Sequence, residues 1–168
     1  SDTSPQLGGN LDVNTKNIVF GDSGGASDDR LTFGAGTDLE IYHDSNHSRI
    51  HNNTGILLIE GDGNIEINAG ASTANMAKFN NGAAVELYYN NVKVFHTKDN
   101  GVVIEGTEGA NAILELRADE GDDNADYFRL HNESGFLSFQ GYGAGSWTNL
   151  LSLQQQNQVR LYYNGSEK

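Results

Sequence analysis

Runs of four to eight residues in which apolar and polar side chains alternate recur along most of this chain, and an Asn-, Asp- or Gly-rich turn ends each of them. "DLEIYH", "NIEIN", "NLDVN", "AVELYYN", "VKVFHT", "ILELRA", "DYFRLH" and "VRLYYN" carry the pattern, and "GILLIEG", "GVVIEG" and "GFLSFQG" a looser form of it. A period of two places successive side chains on opposite faces of an extended strand, whereas an amphipathic helix repeats every 3.6 residues. The separators, among them "DSNHS", "NNTG", "GDG", "NNG", "KDNG" and "NESG", suit tight turns, because Asn and Gly accept positive φ. Twenty-one glycines and twenty asparagines serve this pattern, against one proline. The expectation is an all-β fold of short strands. Only "STANMAKF" (72–79) has the look of a short helix.

The pattern is also duplicated. "RIHNNTGILLIEG" begins at Arg49 and "RLHNESGFLSFQG" at Arg129. "VELYYNN" at Val85 returns as "VRLYYNG" at Val159, and "LEI" at Leu39 as "LEL" at Leu114. Differences in length fall in turn-like segments, such as "RADEGDDNADYF" in the second half and "GDGNIEINAGAST" in the first. Loops tolerate such changes and strands do not. Residues 39–90 and 114–164 therefore read as two copies of one unit. The chain divides into an N-terminal β segment (1–38), a first repeat unit (39–106) and a second (107–168) that breaks off at "LYYNGSEK". That break, and a start at Ser1 without Met, imply a piece of a longer protein. A catalytic site needs one copy only, so duplication points to architecture.

With 36% hydrophobic residues, the apolar supply is thin for a self-sufficient core. Domains of this size bury about 70% of their unfolded surface. A chain this polar reaches that fraction more easily against copies of itself. The net charge of −13 repels phosphate, which argues against nucleic acid and against an anionic membrane surface. No apolar run approaches the roughly 18 residues of a membrane-spanning helix, and no secretory leader pattern is present. Without cysteine there is neither disulfide nor thiolate chemistry.

Few residues offer chemistry. His43, His47 and His51 have metal-site spacing for a helix, but their segment reads as strand, turn, strand. His43 then shares a face with Leu39 and Ile41 while His51 points the other way, so no metal site is expected within one chain. A threefold axis could still gather one histidine from each of three chains. "DEGDDNAD" and "GDGNIE" miss the calcium-loop pattern and read as solvated turns. No nucleophile elbow, zinc-protease motif or phosphate loop occurs, and neither enzyme activity nor a cofactor is expected. His51, Asn52 and Gly55 match His131, Asn132 and Gly135 in the two copies, and are assigned a structural role at the repeat turns. Matched places imply matched structural jobs for the two histidines, such as a hydrogen bond to the Asn-x-(Thr/Ser)-Gly turn that follows. Tyr142 and the single tryptophan, Trp147, lie in "GYGAGSW", read as a flexible loop. Loop aromatics stack on sugar rings, so this pair is the candidate receptor or glycan contact. The alternative is an aromatic plug between repeats.

"PQLGGNLDVNTKNIVFGD", "LTFGAGTDLEIYHDSNHSRIHN" and "FNNGAAVELYYNNVKVFHTKDNGVVIEG" together resemble the virion structural and tail-fibre proteins of marine bacteriophages, over most of the first 106 residues and again at the end. The resemblance implies an elongated homotrimer of intertwined or stacked β units, without enzyme activity in its shaft, on a virion outside the host cell. The H-x-H iron pair of some fibre tips has no counterpart here, and the family's C-terminal chaperone is absent from the sequence. Edge strands that would otherwise aggregate are hidden when sister chains wrap around each other. The reading is a structural fibre segment whose main partner is itself and whose further partner is a host-surface glycan or receptor. A carbohydrate-binding module and a self-assembling extracellular β filament are the rivals.

Overall fold

The computed structural model describes residues 7–26, 28–70, 74–143 and 145–168, without the side chain of Glu120. The chain divides into two units between Ile59 and Glu60, inside the repeat unit read over 39–106.

The first unit holds one three-stranded antiparallel sheet in chain order: β1 (Leu31–Phe33), β2 (Leu39–His43) and β3 (Ser48–Asn52). The second unit holds two meanders. Five strands form the first: β4 (Ile65–Ala69), β5 (Ala74–Phe79), β6 (Val85–Tyr89), β7 (Val92–Lys98) and β8 (Gly101–Ile104). Six form the second: β9 (Ala112–Arg117), β10 (Tyr127–Glu133), β11 (Phe136–Gly143), β12 (Ser146–Gln154), β13 (Gln158–Tyr163) and β14 (Ser166–Glu167). Every strand pairs antiparallel with its neighbour in sequence, and none of the sheets closes into a barrel. The fold is all-β.

Turn chemistry explains this connectivity. Between β6 and β7 only Asn90 and Asn91 intervene, with φ of 48° and 64°, so both sit in the left-handed region that a two-residue hairpin turn of this hand demands. Asn164 and Gly165 repeat the device between β13 and β14, with φ of 50° and 71°. The longer path from β9 to β10 is taken up by two short 3-10 turns, Asp119–Gly121 and Asn124–Asp126.

Three expectations are corrected. Residues 74–79 form strand β5, not a helix, while Ser72 and Thr73 lie outside the described residues. "NLDVN" is not a strand: the Asp12 carboxylate accepts the Asn14 N–H at 2.8 Å, and Asn14 and Thr15 adopt positive φ, so a local turn wins over extension. "GILLIEG" is likewise outside any strand. In the opposite direction, the nine-residue β12 has no clean alternation in its sequence, because a register shift opposite Phe139 and Gln140 leaves Leu150 as an extra residue.

Register decides which side chains share a face, and all three sheets are built alike. On the six-stranded sheet, Leu114, Leu116, Phe128, Leu130, Leu137, Phe139, Leu151, Leu153, Val159 and Leu161 line one face. The other carries Glu115, Arg117, Tyr127, Arg129, His131, Ser138, Gln140, Ser152 and Arg160. The five-stranded sheet sets Ile65, Ile67, Phe79, Leu87, Phe95, Val102 and Ile104 against Glu66, Lys78, Glu86 and His96. In the first unit, Leu31, Phe33, Leu39, Ile41 and Ile50 lie opposite Glu40, Tyr42, Arg49 and His51.

In the first unit and on the six-stranded sheet the covered face is the polar one, whereas the five-stranded sheet buries only Ala77, on its apolar face. Glu40, His131, Ser138 and Ser152 are buried, whereas Phe128, Phe139, Leu161, Ile67, Leu87, Phe33 and Ile50 stand exposed. Among the described residues Ala77, 9% exposed, is the whole of the buried apolar core. Polar side chains shield one another through direct bonds. Lys93 lies 3.3 Å from Glu86 and 3.7 Å from Glu105, and Lys78 lies 3.4 Å from Glu66.

The Ser138 and Ser152 hydroxyls, 3.1 Å apart across β11 and β12, form the most deeply covered of these contacts. Ser152→Ala is expected to cost about 1–2 kcal/mol, because it leaves the Ser138 hydroxyl buried without its partner. The double change Ser138→Ala/Ser152→Ala is expected to be nearly neutral. Denaturant unfolding compares them, and a double variant worse than the single one would refute the pairing.

Candidate functional site

Alternation along β10 puts Tyr127, Arg129 and His131 on the polar face, and the antiparallel register sets Tyr142 of β11 beside Tyr127 and Trp147 of β12 beside Tyr142. Tyr142 and Trp147 are thus a cross-strand pair at the end of a hairpin and half-buried, not exposed on a flexible loop as expected. The hairpin's own twist and pairing hold them, which a reading of "GYGAGSW" as glycine-rich loop cannot show.

Three rings meet there, Trp147 edge to face with both tyrosines and the tyrosines tilted to each other. Their centroids lie 5.2 Å apart for Tyr142 and Trp147, 5.7 Å for Tyr127 and Tyr142, and 6.5 Å for Tyr127 and Trp147. The Arg129 guanidinium stacks 4.2 Å above the Trp147 ring, steered by its Nε donating to Gln140 Oε1 at 2.5 Å. Gln140 is fixed in turn by donating to Asn149 Oδ1 at 2.7 Å. Arg117 lies 5.2 Å over Tyr127 and pairs with Glu115 at 2.6 Å. The Tyr127 hydroxyl donates to the carbonyl of Gly121, whose φ of 72° brings the 3-10 turn back over the ring.

The three rings, Arg117, Glu115 and Gly121 bound a cleft of about 320 Å³, which Asp122 and Asn124 also line. Aromatic ring, carboxylate, guanidinium and amide in one hollow suit a polyhydroxylated ligand, which needs a flat apolar patch flanked by donors and acceptors. Tyr127, Arg117 and Arg129 were not singled out from the sequence. Their signal, polar-face parity in "DYFRLH" and "ILELRA", has meaning only once strand partners are known.

A larger hollow of about 950 Å³ lies between the turns around Gly82–Ala84 and Thr97–Asn100. Its one imidazole, His96, faces Glu105 at 3.3 Å.

The matched histidines do not perform a matched bond to the following turn. His51 on β3 lies 3.5 Å from Glu40 Oε2, and His131 is buried with Nε2 2.8 Å from the Asn111 amide. Register causes the difference: His51 opposes Glu40, whereas His131 opposes Ile113 and reaches past it to Asn111. The turn is served by Asn52, whose Nδ2 donates to the carbonyls of Thr54 at 2.8 Å and Gly55 at 3.1 Å. Asn132, on β10, opposes Ala112 on one side and Leu137 on the other. Gly55 and Gly135 both adopt positive φ, 68° and 90°, which a side chain would strain. His43 sits by Ser48 at 3.1 Å and His47 by Asp44 at 3.5 Å, so the three spaced histidines point to three different places.

In the first unit the covered carboxylate of Glu40 accepts from Arg30 Nη1 at 2.9 Å and from Asn53 Nδ2 at 3.3 Å. Arg30 also donates to Ser23 Oγ at 2.7 Å and stacks 3.9 Å from the Tyr42 ring. The Arg30 hydrogen bond, partly opposed by desolvation, holds Glu40 below its ordinary value of 4.5. Asp44 lies well below the usual carboxylate range, first because Arg49 donates to it and then because the His47 N–H does.

Both groups bind protons less readily folded than unfolded. Their support for the sheet is therefore full above the ordinary carboxylate values and is lost as pH falls through the lowered ones. Protection of the amides over 31–52, taken as exchange relative to unstructured chain at the same pH, is expected to be high at neutral pH and to fall progressively below about pH 4.5. Equal protection at neutral pH and at about pH 2 would remove these ion pairs from the account.

The chain matches no known protein-family pattern and no curated protein sequence.

Proposed function

We propose that this chain is a non-catalytic structural segment of a fibre on a phage-like virion, assembled as a homotrimer of β units outside the host cell. The observation that carries the reading is the set of exposed large apolar side chains that each of the three sheets carries on one face. Soluble single chains rarely leave contiguous apolar patches beyond a few hundred Å². Copies of the same chain supply a complementary apolar face without any new sequence. The duplicated turn-and-strand pattern supports a repeat architecture, in which neighbouring units cover one another. A charge of −13 limits uncontrolled association between finished particles.

Light scattering on the purified chain tests the proposal. The expected mass is about 54 kDa, three chains of 18.1 kDa. A stable monomer would overturn it, and an open-ended polymer would favour the extracellular filament instead.

The aromatic cleft at Trp147 favours one second reading, a carbohydrate-binding role that presents the fibre or a free module to a host-surface glycan. Glycan-array binding by the intact chain, competed by free saccharide, is the expected sign. An empty array leaves the cluster as packing.

A further inference from the structure

The segment 56–60, "ILLIE", is a part of the duplicated sequence whose two copies differ in kind. In the second copy, 136–140 is strand β11, hydrogen-bonded to β10 through a two-residue turn at 134–135. In the first copy, 56–60 follows β3 and belongs to no strand. Ile56, Leu58 and Ile59 are 84%, 69% and 67% exposed, and none of the backbone N–H groups of 56–60 has a backbone partner among the described residues. The segment follows β3 in the chain, and β3 is itself an open sheet edge.

Backbone phase explains why the first hairpin does not close like the second. Closing a two-residue turn at 54–55 requires the Asn53 N–H to point away from β2, towards Ile56. That N–H instead donates to the Asp38 carbonyl at 2.7 Å, on the β2 side. The outward backbone groups of β3 are therefore those of Ser48, Ile50 and Asn52, whereas β10 turns those of Arg129, His131 and Glu133 towards β11. The Asn52 side chain, bonded to the Thr54 and Gly55 carbonyls, holds the chain in this alternative course.

We propose that 56–60 is an exchange strand, pairing antiparallel with the β3 edge of a second copy of this chain. The inference rests on the self-assembly reading above. The register is that of β10 with β11, setting Leu57 against Asn52, Ile59 against Ile50 and Glu60 against Arg49. No tight turn is needed between separate chains, so the outward groups of Ile50 and Asn52 become the hydrogen-bonding ones. Ile59 extends the apolar face at Ile50 and Ile41, as Phe139 does beside Leu130. Glu60 meets a guanidinium of which, among the described residues, only Nε is taken, by Asp44. Leu58 stands where β11 has Ser138, so the segment is apolar on both faces, the pattern of a strand covered on both sides. A lone three-stranded sheet offers no such cover, and a second copy does.

The chain has no cysteine, which makes cross-linking decisive. Ile50→Cys and Ile59→Cys, both at exposed positions, are prepared as separate single variants, mixed, refolded together and oxidised. The expected product on a non-reducing denaturing gel is a disulfide-linked pair that contains one of each variant. The double variant Ile50→Cys/Ile59→Cys is expected to link chain to chain. A disulfide closed within one chain, or no disulfide, overturns the exchange. Amide exchange on the unsubstituted chain guards against a misfolded variant: 56–60 is expected to be protected in the assembly, and unprotected amides there equally overturn it. A trimeric mass without cross-links defeats the exchange and spares the fibre, whereas a monomeric mass defeats the fibre itself.

Discussion

Phe139→Asp is expected to break the assembly into single chains of 18.1 kDa while leaving their strand content intact. Phe139 sits mid-face on β11, opposite Leu130 on one side and Leu151 on the other, and is 44% exposed in the single chain. If the chain works alone, an aspartate at that position loses cross-strand contact and β-propensity but stays solvated, and stability falls by about 1–2 kcal/mol. If sister chains cover the face, each copy loses about 1.5 kcal/mol or more of apolar burial. Each then also buries an unpaired carboxylate, at several kcal/mol per ion. The losses recur in every subunit, so a single substitution outweighs an ordinary oligomer interface. Light scattering with circular dichroism reads both quantities. An unchanged assembly mass would mean that the apolar face is not the contact surface.

Trp147→Ala is expected to destabilise the six-stranded sheet by about 2–4 kcal/mol, the scale of a large aromatic truncated at a half-buried site. The indole touches Tyr127 and Tyr142 by ring edges and carries the Arg129 guanidinium on its face. Truncation removes these contacts together and frees Arg129 from the position that its bond to Gln140 prepares. Trp147→Phe, which keeps a ring in the same place, is expected to recover most of the loss. Denaturant unfolding under conditions of fixed chain concentration makes the comparison. A cost below about 1 kcal/mol for the alanine variant would show a ring held for a ligand rather than for the sheet.

The two substitutions bear on opposite faces of one sheet, and the sequence exposes those faces unequally. Alternation in "ILELRA" and "DYFRLH" is enough to separate Leu114, Leu116, Phe128 and Leu130 from Glu115, Arg117, Tyr127 and Arg129. It failed at β12, where the bulge at Leu150 breaks the period, and at 74–79, where "ANMAKF" has no period at all and becomes a strand only because β4 and β6 flank it. The candidate site was half legible. Tyr142 and Trp147 stood out as aromatics among glycines, but Tyr127, Arg117 and Arg129 join them only across three strand partners.

Local chemistry, written in consecutive residues, determined the strands, the Asn-Asn and Asn-Gly turns and the antiparallel meanders, because each depends on side-chain period and backbone φ within a few positions. Tertiary structure alone decided three things: that the covered face of the first and the six-stranded sheets is the polar one, that His51 and His131 serve different partners, and that "GILLIEG" and "GFLSFQG" take different courses. Each depends on the register between strands. Register fixes which backbone N–H groups point to which neighbour, and a run of alternating residues is equally compatible with either phase.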